Sequence, residues 1–322
     1  MTVAPADPFA PSRRINGRFV NASGRVQHGF LHFLRWYFSR KPPPWPETIV
    51  NAPAETPLAR VDDGVRVTLV GHATALLQVG GLNILTDPMW SDCAGPVSWI
   101  GAKRKRPPAI AFDQLPPIDI VLVSHSHYDH LDRPTLKALQ RRDRPLVLTG
   151  LNVGAAIPCE TIIELDWWQS HALGDTVAIT YVPAEHASAR SPLDRNARLW
   201  GGFVIRTPAA CVYFSGDSGY GEHFAAIRQR FGRFDLALLP IGAYLPRWFM
   251  ATVHMNPNEA VMAAEILQAR VTLPIHYGTF RLADDDFDEP VRLLGEALAA
   301  RRNDDLDFRV AEFGEAVTIP SG

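Results

Sequence analysis

The sequence predicts an α/β (α+β) protein in which two sheets pack together with helices outside them. Three observations predict it. Short apolar runs of strand length recur from residue 61 onward. Helix-period segments interrupt these runs without the regular alternation of a βα barrel. Several runs stop abruptly at a His or an Asp, so their ends should converge on one edge of the fold.

The elements follow in order. Met1–Ser12 is rich in Pro and Ala and reads as mobile. Phe30, Phe33, Leu34, Tyr37 and Phe38 recur at helical spacing, with Arg35, Arg40 and Lys41 nearby. This segment reads either as an interfacial membrane helix or as a helix docked on the main domain. Lys41-Pro42-Pro43-Pro44-Trp45-Pro46 is a polyproline-like stretch. Residues 1–60 are therefore expected to form an extension packing on or near a main domain of residues 61–322. There, Val65–Val70, Ala75–Val79 and Leu82–Thr86 read as antiparallel strands with Gly80-Gly81 as a turn. Ile120–Val123 reads as a buried strand, followed by a helix over Pro134–Arg141. Leu146–Leu148, Val177–Val182, Phe203–Arg206, Cys211–Ser215 and Leu236–Pro240 continue the strands. Asn258–Gln268 and Pro290–Arg301 read as helices, and Val271–Ile275 and Phe308–Phe313 as late strands.

Composition bounds the function. The 322 residues are 47% hydrophobic with a net charge of -2, ordinary for a globular enzyme with a large core. Near-neutral charge argues against nucleic acid as a partner, because phosphate binding wants a basic face. Cys93, Cys159 and Cys211 have neither zinc-ribbon spacing nor a disulfide pattern, which fits a reducing compartment. No run approaches the ~20 apolar residues of a membrane span. Arg13-Arg14 precedes Ile15-Asn16-Gly17-Arg18 and no apolar stretch, which argues against a cleaved signal. The expected location is cytoplasmic, with peripheral contact at the inner membrane face if the aromatic helix touches lipid.

Ser124-His125-Ser126-His127-Tyr128-Asp129-His130 carries the chemistry. Three imidazoles and a carboxylate follow directly on a buried strand. Burying them together without a cation would cost several kcal/mol. The cluster suits a pair of zinc ions better than one, since tetrahedral zinc takes about four ligands and a catalytic zinc keeps a position open. Iron or manganese could use the same donors. The missing ligands should lie on other strand ends. His186 follows Ile179–Pro183, Asp217 follows Val212–Ser215, and His276 follows Val271–Ile275.

In that order, H-x-H-x-D-H, a later His, a Gly-Asp and a final His resemble the signature of the metallo-β-lactamase superfamily. The resemblance implies an αββα sandwich of two mixed sheets, with helices on the outer faces and metals at one edge. It implies His125, His127 and His186 on one zinc, Asp129, His130 and His276 on a second, and Asp217 between them. Val70-Gly71-His72-Ala73-Thr74, Leu85-Thr86-Asp87-Pro88 and Leu115-Pro116-Pro117-Ile118-Asp119 extend the likeness. So do Pro240–Tyr244, Pro246–Met250, Ile275–Phe280 and, near the start, Gly17-Arg18-Phe19-Val20-Asn21. These motifs are similar to those of the N-acyl-phosphatidylethanolamine-hydrolysing phospholipases D over most of the chain, although the N-terminal extension departs more from the mammalian enzyme.

That closer resemblance implies a zinc-dependent phosphodiesterase in which a metal-bridging hydroxide attacks phosphorus. It implies catalytic work for Asp129 and for His254, which would orient or protonate a phosphate oxygen; a helix cap is the other reading of His254. It implies that His72 and Asp87 orient ligands, where a role in turns is the alternative. Tyr244, Trp248 and Phe249 could line an acyl-chain groove or simply pack a core. Lys103-Arg104-Lys105-Arg106, beside Trp99-Ile100, could face anionic headgroups or form a solvated loop. The family implies a homodimer. Expected partners are a phospholipid or another small ester substrate, with peripheral membrane contact. The competing readings are another hydrolase on the same scaffold, such as a sugar-acid lactonase, and a non-catalytic metal- or lipid-binding protein.

Overall fold

The computed structural model describes residues 7–25, 27–301 and 305–321. The mobility expected of Met1–Ser12 therefore falls partly outside the described residues. The extension supplies a short hairpin, β1 (Arg13–Ile15) and β2 (Arg18–Val20), and a helix, α1 (Phe30–Ser39). The chain then forms β3 (Val65–Gly71), β4 (Thr74–Val79), β5 (Leu82–Thr86) and a separate hairpin of β6 (Cys93–Val97) and β7 (Ile100–Lys103). Next come β8 (Ile120–Val123), α2 (Arg133–Arg142), β9 (Leu146–Gly150) and β10 (Ile162–Leu165). The second half runs β11 (Ser170–Leu173), β12 (Val177–Val182), β13 (Gly202–Arg206), β14 (Cys211–Phe214), α3 (His223–Phe231) and β15 (Leu236–Pro240). It closes with α4 (Arg247–Met250), α5 (Pro257–Leu267), β16 (Val271–Ile275), α6 (Glu289–Arg301) and β17 (Ala316–Ile319).

These strands make two mixed sheets, one of seven strands in the order β10-β9-β8-β5-β4-β3-β17 and one of six in the order β11 to β16. In the first, β5, β8, β9 and β10 pair in parallel and the rest antiparallel. In the second, β11 to β14 are antiparallel and β14 to β16 parallel. Strand alternation explains the layers. Leu77, Ile84, Ile120 and Leu122 face a core shared with Phe203, Tyr213 and Leu238 of the second sheet. Their neighbours Leu76, Leu85, Val121 and Val123 face outward onto Leu136 and Leu139 of α2. Both faces are covered, so β4 and β8 are buried along their whole length. A capping box fixes the start of α5: Asn256 accepts from Glu259 N, and the Glu259 side chain accepts from Asn256 N.

Three readings are corrected. Phe308–Phe313 is not a strand: Phe308, Ala311 and Phe313 are buried, but only the bridge of Phe308 to Thr272 is β-like. The terminal strand is Ala316–Ile319, paired to β3. The run Cys211–Ser215 ends one residue early, and Ser215-Gly216 leaves the sheet. Finally, α1 docks through a face other than the predicted stripe. Trp36, outside the stripe, is 5% exposed, whereas Tyr37 and Phe38 of the stripe are 54% and 81% exposed. Trp36 stacks on Phe249 at 5.3 Å, and its Nε1 donates to Asp284 Oδ2 at 2.9 Å. One turn on, Arg40 donates to Asp284 Oδ1 at 3.0 Å and lies 4.5 Å over the Trp36 ring. An indole can be buried here because it has a carboxylate partner.

Candidate metal centre

All the expected ligands, and the two residues expected to orient them, His72 and Asp87, stand at carboxyl ends of strands. His72 follows β3, Asp87 follows β5, and His125 to His130 follow β8 in the first sheet. His186, Asp217 and His276 follow β12, β14 and β16 in the second. His72, Asp87 and His276 have positive φ, at 57°, 35° and 61°. Such angles are uncommon outside glycine, and they turn each chain sharply off its strand. Gly216, at φ 60°, lets the Asp217 loop close on the His125 loop, since a Cβ there would lie 2.6 Å from Ser124 Cβ.

The donors gather into two adjoining groups. His125 Nε2 lies 2.8 Å from His127 Nδ1, which lies 3.2 Å from His186 Nε2. Asp129 Oδ2 lies 3.2 Å from His130 Nε2 and 3.4 Å from His276 Nε2. Between the groups, Asp217 Oδ2 is 3.1 Å from both His130 Nε2 and His276 Nε2, 3.7 Å from His186 Nε2 and 3.9 Å from His125 Nε2. His130 Nε2, His276 Nε2 and Asp217 Oδ1 are buried without a hydrogen-bond partner. Buried donor atoms crowded this closely fit a bound cation, whose place protons on His130 and His276 can also take.

Further residues aim the donors. Asp87 Oδ1 accepts from Ser124 N at 2.7 Å, and Oδ2 accepts from Ser124 Oγ at 2.6 Å and His130 Nδ1 at 2.7 Å. The last bond leaves His130 Nε2 facing the centre. His72 Nε2 lies 2.9 Å from Asp129 Oδ2, and the His72 carbonyl accepts from His276 N at 2.9 Å. His186 Nδ1 donates to the Val253 carbonyl at 2.8 Å, which likewise frees Nε2. Arg190 was not legible in the sequence. Its Nη1 donates to the carbonyls of Ser126 and Leu131, and its guanidinium lies 4.0 Å over the Tyr128 ring, bracing the ligand loop.

The electrostatics favour a cation. Burial pushes His125 well below the ordinary imidazole value, and burial chiefly holds His72 and His127 at about 3, so all three are neutral donors. Burial acts the same way on His130 and His276. There, Asp217 and Asp129 outweigh it, lifting His130 well above its usual value and His276 to about 9. The carboxylates thus demand positive charge, and protons supply it when nothing else does.

His254 has its ring 5.1 Å from that of His186 and 5.2 Å from that of His276. It does not cap α5; Asn256 does. Burial, aided by His186 and His276, holds its pKa well below normal against Asp217. Two unlike cavities flank the centre. One, of about 430 Å³, is lined by Phe33, Trp36, Phe249, Val253 and Leu282, and reaches His127, His186 and His254. The other, of about 880 Å³, reaches His127 and Asp129 and carries Arg40, Lys103, Lys105 and Arg281. Phe33, Trp36 and Leu282 wall both. Of the expected substrate residues, Phe249 lines the apolar cavity. Trp248 is 43% exposed under Arg35, and Tyr244 is buried, lining neither cavity because its ring faces Asp285 and Glu289 instead.

Comparison with known proteins places this geometry. A family profile described as a β-lactamase superfamily domain matches residues 82–277. An uncharacterised protein of Mycobacterium tuberculosis is 44% identical over 240 residues, 72% of this chain but only 63% of that relative's length. The N-acyl-phosphatidylethanolamine-hydrolyzing phospholipase D 1 of Caenorhabditis elegans is 38% identical over 269 residues, 79% of this chain and 76% of the relative. Among solved structures, the metallo hydrolase Igni18 of Ignicoccus hospitalis superposes with a TM-score of 0.60 at 22% identity, over 80% of this chain and 99% of that one, a likeness of fold. With the profile covering most of the chain and the nematode relative matched over three quarters of its length, the chain belongs to the metallo-β-lactamase superfamily.

Proposed function

We propose that the protein is a metal-dependent hydrolase of lipid phosphodiesters, cleaving an N-acylated phospholipid to phosphatidic acid and an N-acylethanolamine. One observation carries the reading: the ligand cluster opens between two cavities with largely apolar walls, one of which also carries Lys103, Lys105 and Arg281. A substrate with a fatty chain on one side of its scissile bond and an anion on the other matches that division. The nematode relative, named for such an activity, supports it.

His125, His127 and His186 would hold one zinc and Asp129, His130 and His276 a second, with Asp217 shared. Zinc bound there acts as a Lewis acid and lowers the pKa of water to about 7; iron or manganese suits the same donors. The chain's own residues do the rest. His72 keeps the Asp129 carboxylate aimed inward, and Asp87 does the same for His130. His254, neutral and beside the centre, donates a hydrogen bond to a phosphate oxygen and so orients it. Lys103, Lys105 and Arg281 attract the anionic part. Leu31, Tyr37, Phe38, Trp99, Ile100 and Trp248 are exposed on α1, on the β6–β7 hairpin and on α4. We place these apolar side chains against a membrane surface as a peripheral contact. Among the described residues no helix is long and apolar enough to cross one.

The test is hydrolysis of N-acyl-phosphatidylethanolamine by metal-loaded protein in ¹⁸O-labelled water, beside a panel of sugar-acid lactones. The expected result is phosphatidic acid carrying the label in its phosphate, with an unlabelled N-acylethanolamine. Lactone turnover without phosphodiester turnover would replace this reading with the lactonase.

A further inference from the structure

The motif Gly17-Arg18-Phe19-Val20-Asn21 lies far from the metal ligands in sequence, yet its last residue touches one of them. His186 sits in a buried irregular loop, where its own N–H and C=O lack a strand partner. Both are met by side-chain amides of the N-terminal extension. Asn21 Oδ1 accepts from His186 N at 3.1 Å, and Gln27 Nε2 donates to the His186 carbonyl. Neither amide is free to turn. Asn21 Oδ1 also accepts from Trp200 Nε1 at 3.0 Å, and Gln27 Oε1 accepts from Asn196 Nδ2 at 2.7 Å. The chemistry fixes both orientations, since the partners of Asn21 Oδ1 can only donate and the His186 carbonyl can only accept. The preceding residue is held by the same segment: Ser23 N and Oγ donate to the Glu185 carboxylate at 3.2 and 2.6 Å.

We propose that Asn21 and Gln27 are positioning residues that bracket the backbone of His186 and so set its imidazole toward the metal. The extension is then part of the metal centre, not a cover over a finished one. A ligand imidazole reached from a loop has little else to define its direction. The Val253 bond fixes the ring about its own axis, and the amide bracket fixes the peptide units from which it hangs. Loss of partners that orient a ligand typically costs 10–100-fold in metal affinity. The bracket rests on His186 being a ligand and is independent of the substrate.

The experiment measures zinc stoichiometry and affinity by chelator competition, with the visible spectrum of the cobalt-substituted protein as a readout free of activity. Asn21→Leu and Gln27→Met keep size and remove the bond. Asn21→Asp keeps the accepting oxygen and is the rescue. Asn51→Ala removes another amide of the extension, one bonded to the Pro107 carbonyl and to Arg106 and to no ligand residue. The expected result is a 10–100-fold weaker zinc and an altered cobalt spectrum in Asn21→Leu and Gln27→Met, with near-parental values in Asn21→Asp and Asn51→Ala. If Asn21→Leu does not fold, Gln27→Met decides, because Gln27 is only half-buried. Parental zinc affinity and cobalt spectrum in folded Gln27→Met would overturn the bracket alone. Absence of metal uptake by the parent protein would overturn the metal centre and the bracket together.

Discussion

A single carboxylate shows how much of the centre depends on residues that need not touch a metal. Asp87 is fully buried and satisfies three donors, the last of them His130 Nδ1. Asn at this position has one accepting oxygen in place of two. One donor must then face an NH2 group, and His130 can rotate out of line. Asp87→Asn is expected to lower metal affinity about 10–100-fold, read by competition with a coloured chelator; unchanged affinity would show that His130 is aimed by packing alone. Proton linkage provides a second residue-scale prediction. Without metal, His130 and His276 are held protonated by Asp217 and Asp129, His276 up to about 9. A ligating imidazole must be neutral. The metal-free state therefore binds more protons than the loaded one, so apparent affinity rises with pH and levels off above about 9. Calorimetric titration with zinc, in buffers of different ionisation enthalpy, should show proton release across neutral pH. No release would mean that the imidazoles are already neutral.

At the scale of elements, the run Lys103-Arg104-Lys105-Arg106 divides by strand alternation. Lys103 and Lys105 line the larger cavity. Arg104 turns inward, donates to the carbonyls of Met89 and Ser91 and lies 4.6 Å over Phe280, with burial holding its pKa down at about 10. Lys105→Ala is expected to raise KM for an anionic lipid in a salt-dependent way and leave melting unchanged. Arg104→Ala should instead lower stability by about 1–3 kcal/mol, since it orphans buried carbonyls; the reverse pattern in paired melting and kinetic assays would refute the division. Similarly, Asp284→Ala strips Trp36 and Arg40 of their shared partner. It should speed proteolysis around α1 with little change in global melting, because α1 can open locally. The same contrast explains what could be read in advance. β8 and the ligand loop were legible because an all-apolar strand and clustered imidazoles are local signals. The β6–β7 hairpin was not, since Cys-Ala-Gly-Pro-Val carries residues that usually weaken strands. Phe308–Phe313 imitated a strand because it mixes apolar residues with single polar ones, but Phe308, Ala311 and Phe313 are buried while Val310 is exposed, which is no period-two face. Asn21 stood in a motif singled out without a role, and Gln27 and Arg190 gave no warning, because their partners lie far off in sequence and only the folded chain brings them together.

For the whole molecule, the proposed ligands and the residues that orient them are divided between the two sheets. His125 to His130, with the orienting His72 and Asp87, belong to the first sheet, and His186, Asp217 and His276 to the second. Protein contacts across this edge are specific, and Arg190 on the Ser126 and Leu131 carbonyls is one of them. His276 N donates to the His72 carbonyl at 2.9 Å, Tyr181 Oη to the Ser124 carbonyl at 2.7 Å, and Ser126 Oγ meets Ser188 Oγ at 2.7 Å. A metal pair would join the sheets where the apolar core ends. Binding to the native state alone stabilises it by about 4 kcal/mol at a thousandfold excess over Kd. Against a total of about 5–15 kcal/mol, that is a large share. Chelation should therefore lower Tm by on the order of 10 °C, restored in proportion to the logarithm of added zinc. The loss should also be uneven. Hydrogen exchange is expected to rise first in residues 125–130, 183–188, 215–218 and 276–280, which carry the proposed ligands, while β4 and β13 stay protected by the inter-sheet core. A metal-free protein that melts at the parental temperature, with those loops still protected, would show that backbone bonds between the sheets suffice to hold the edge, leaving the metal to chemistry alone.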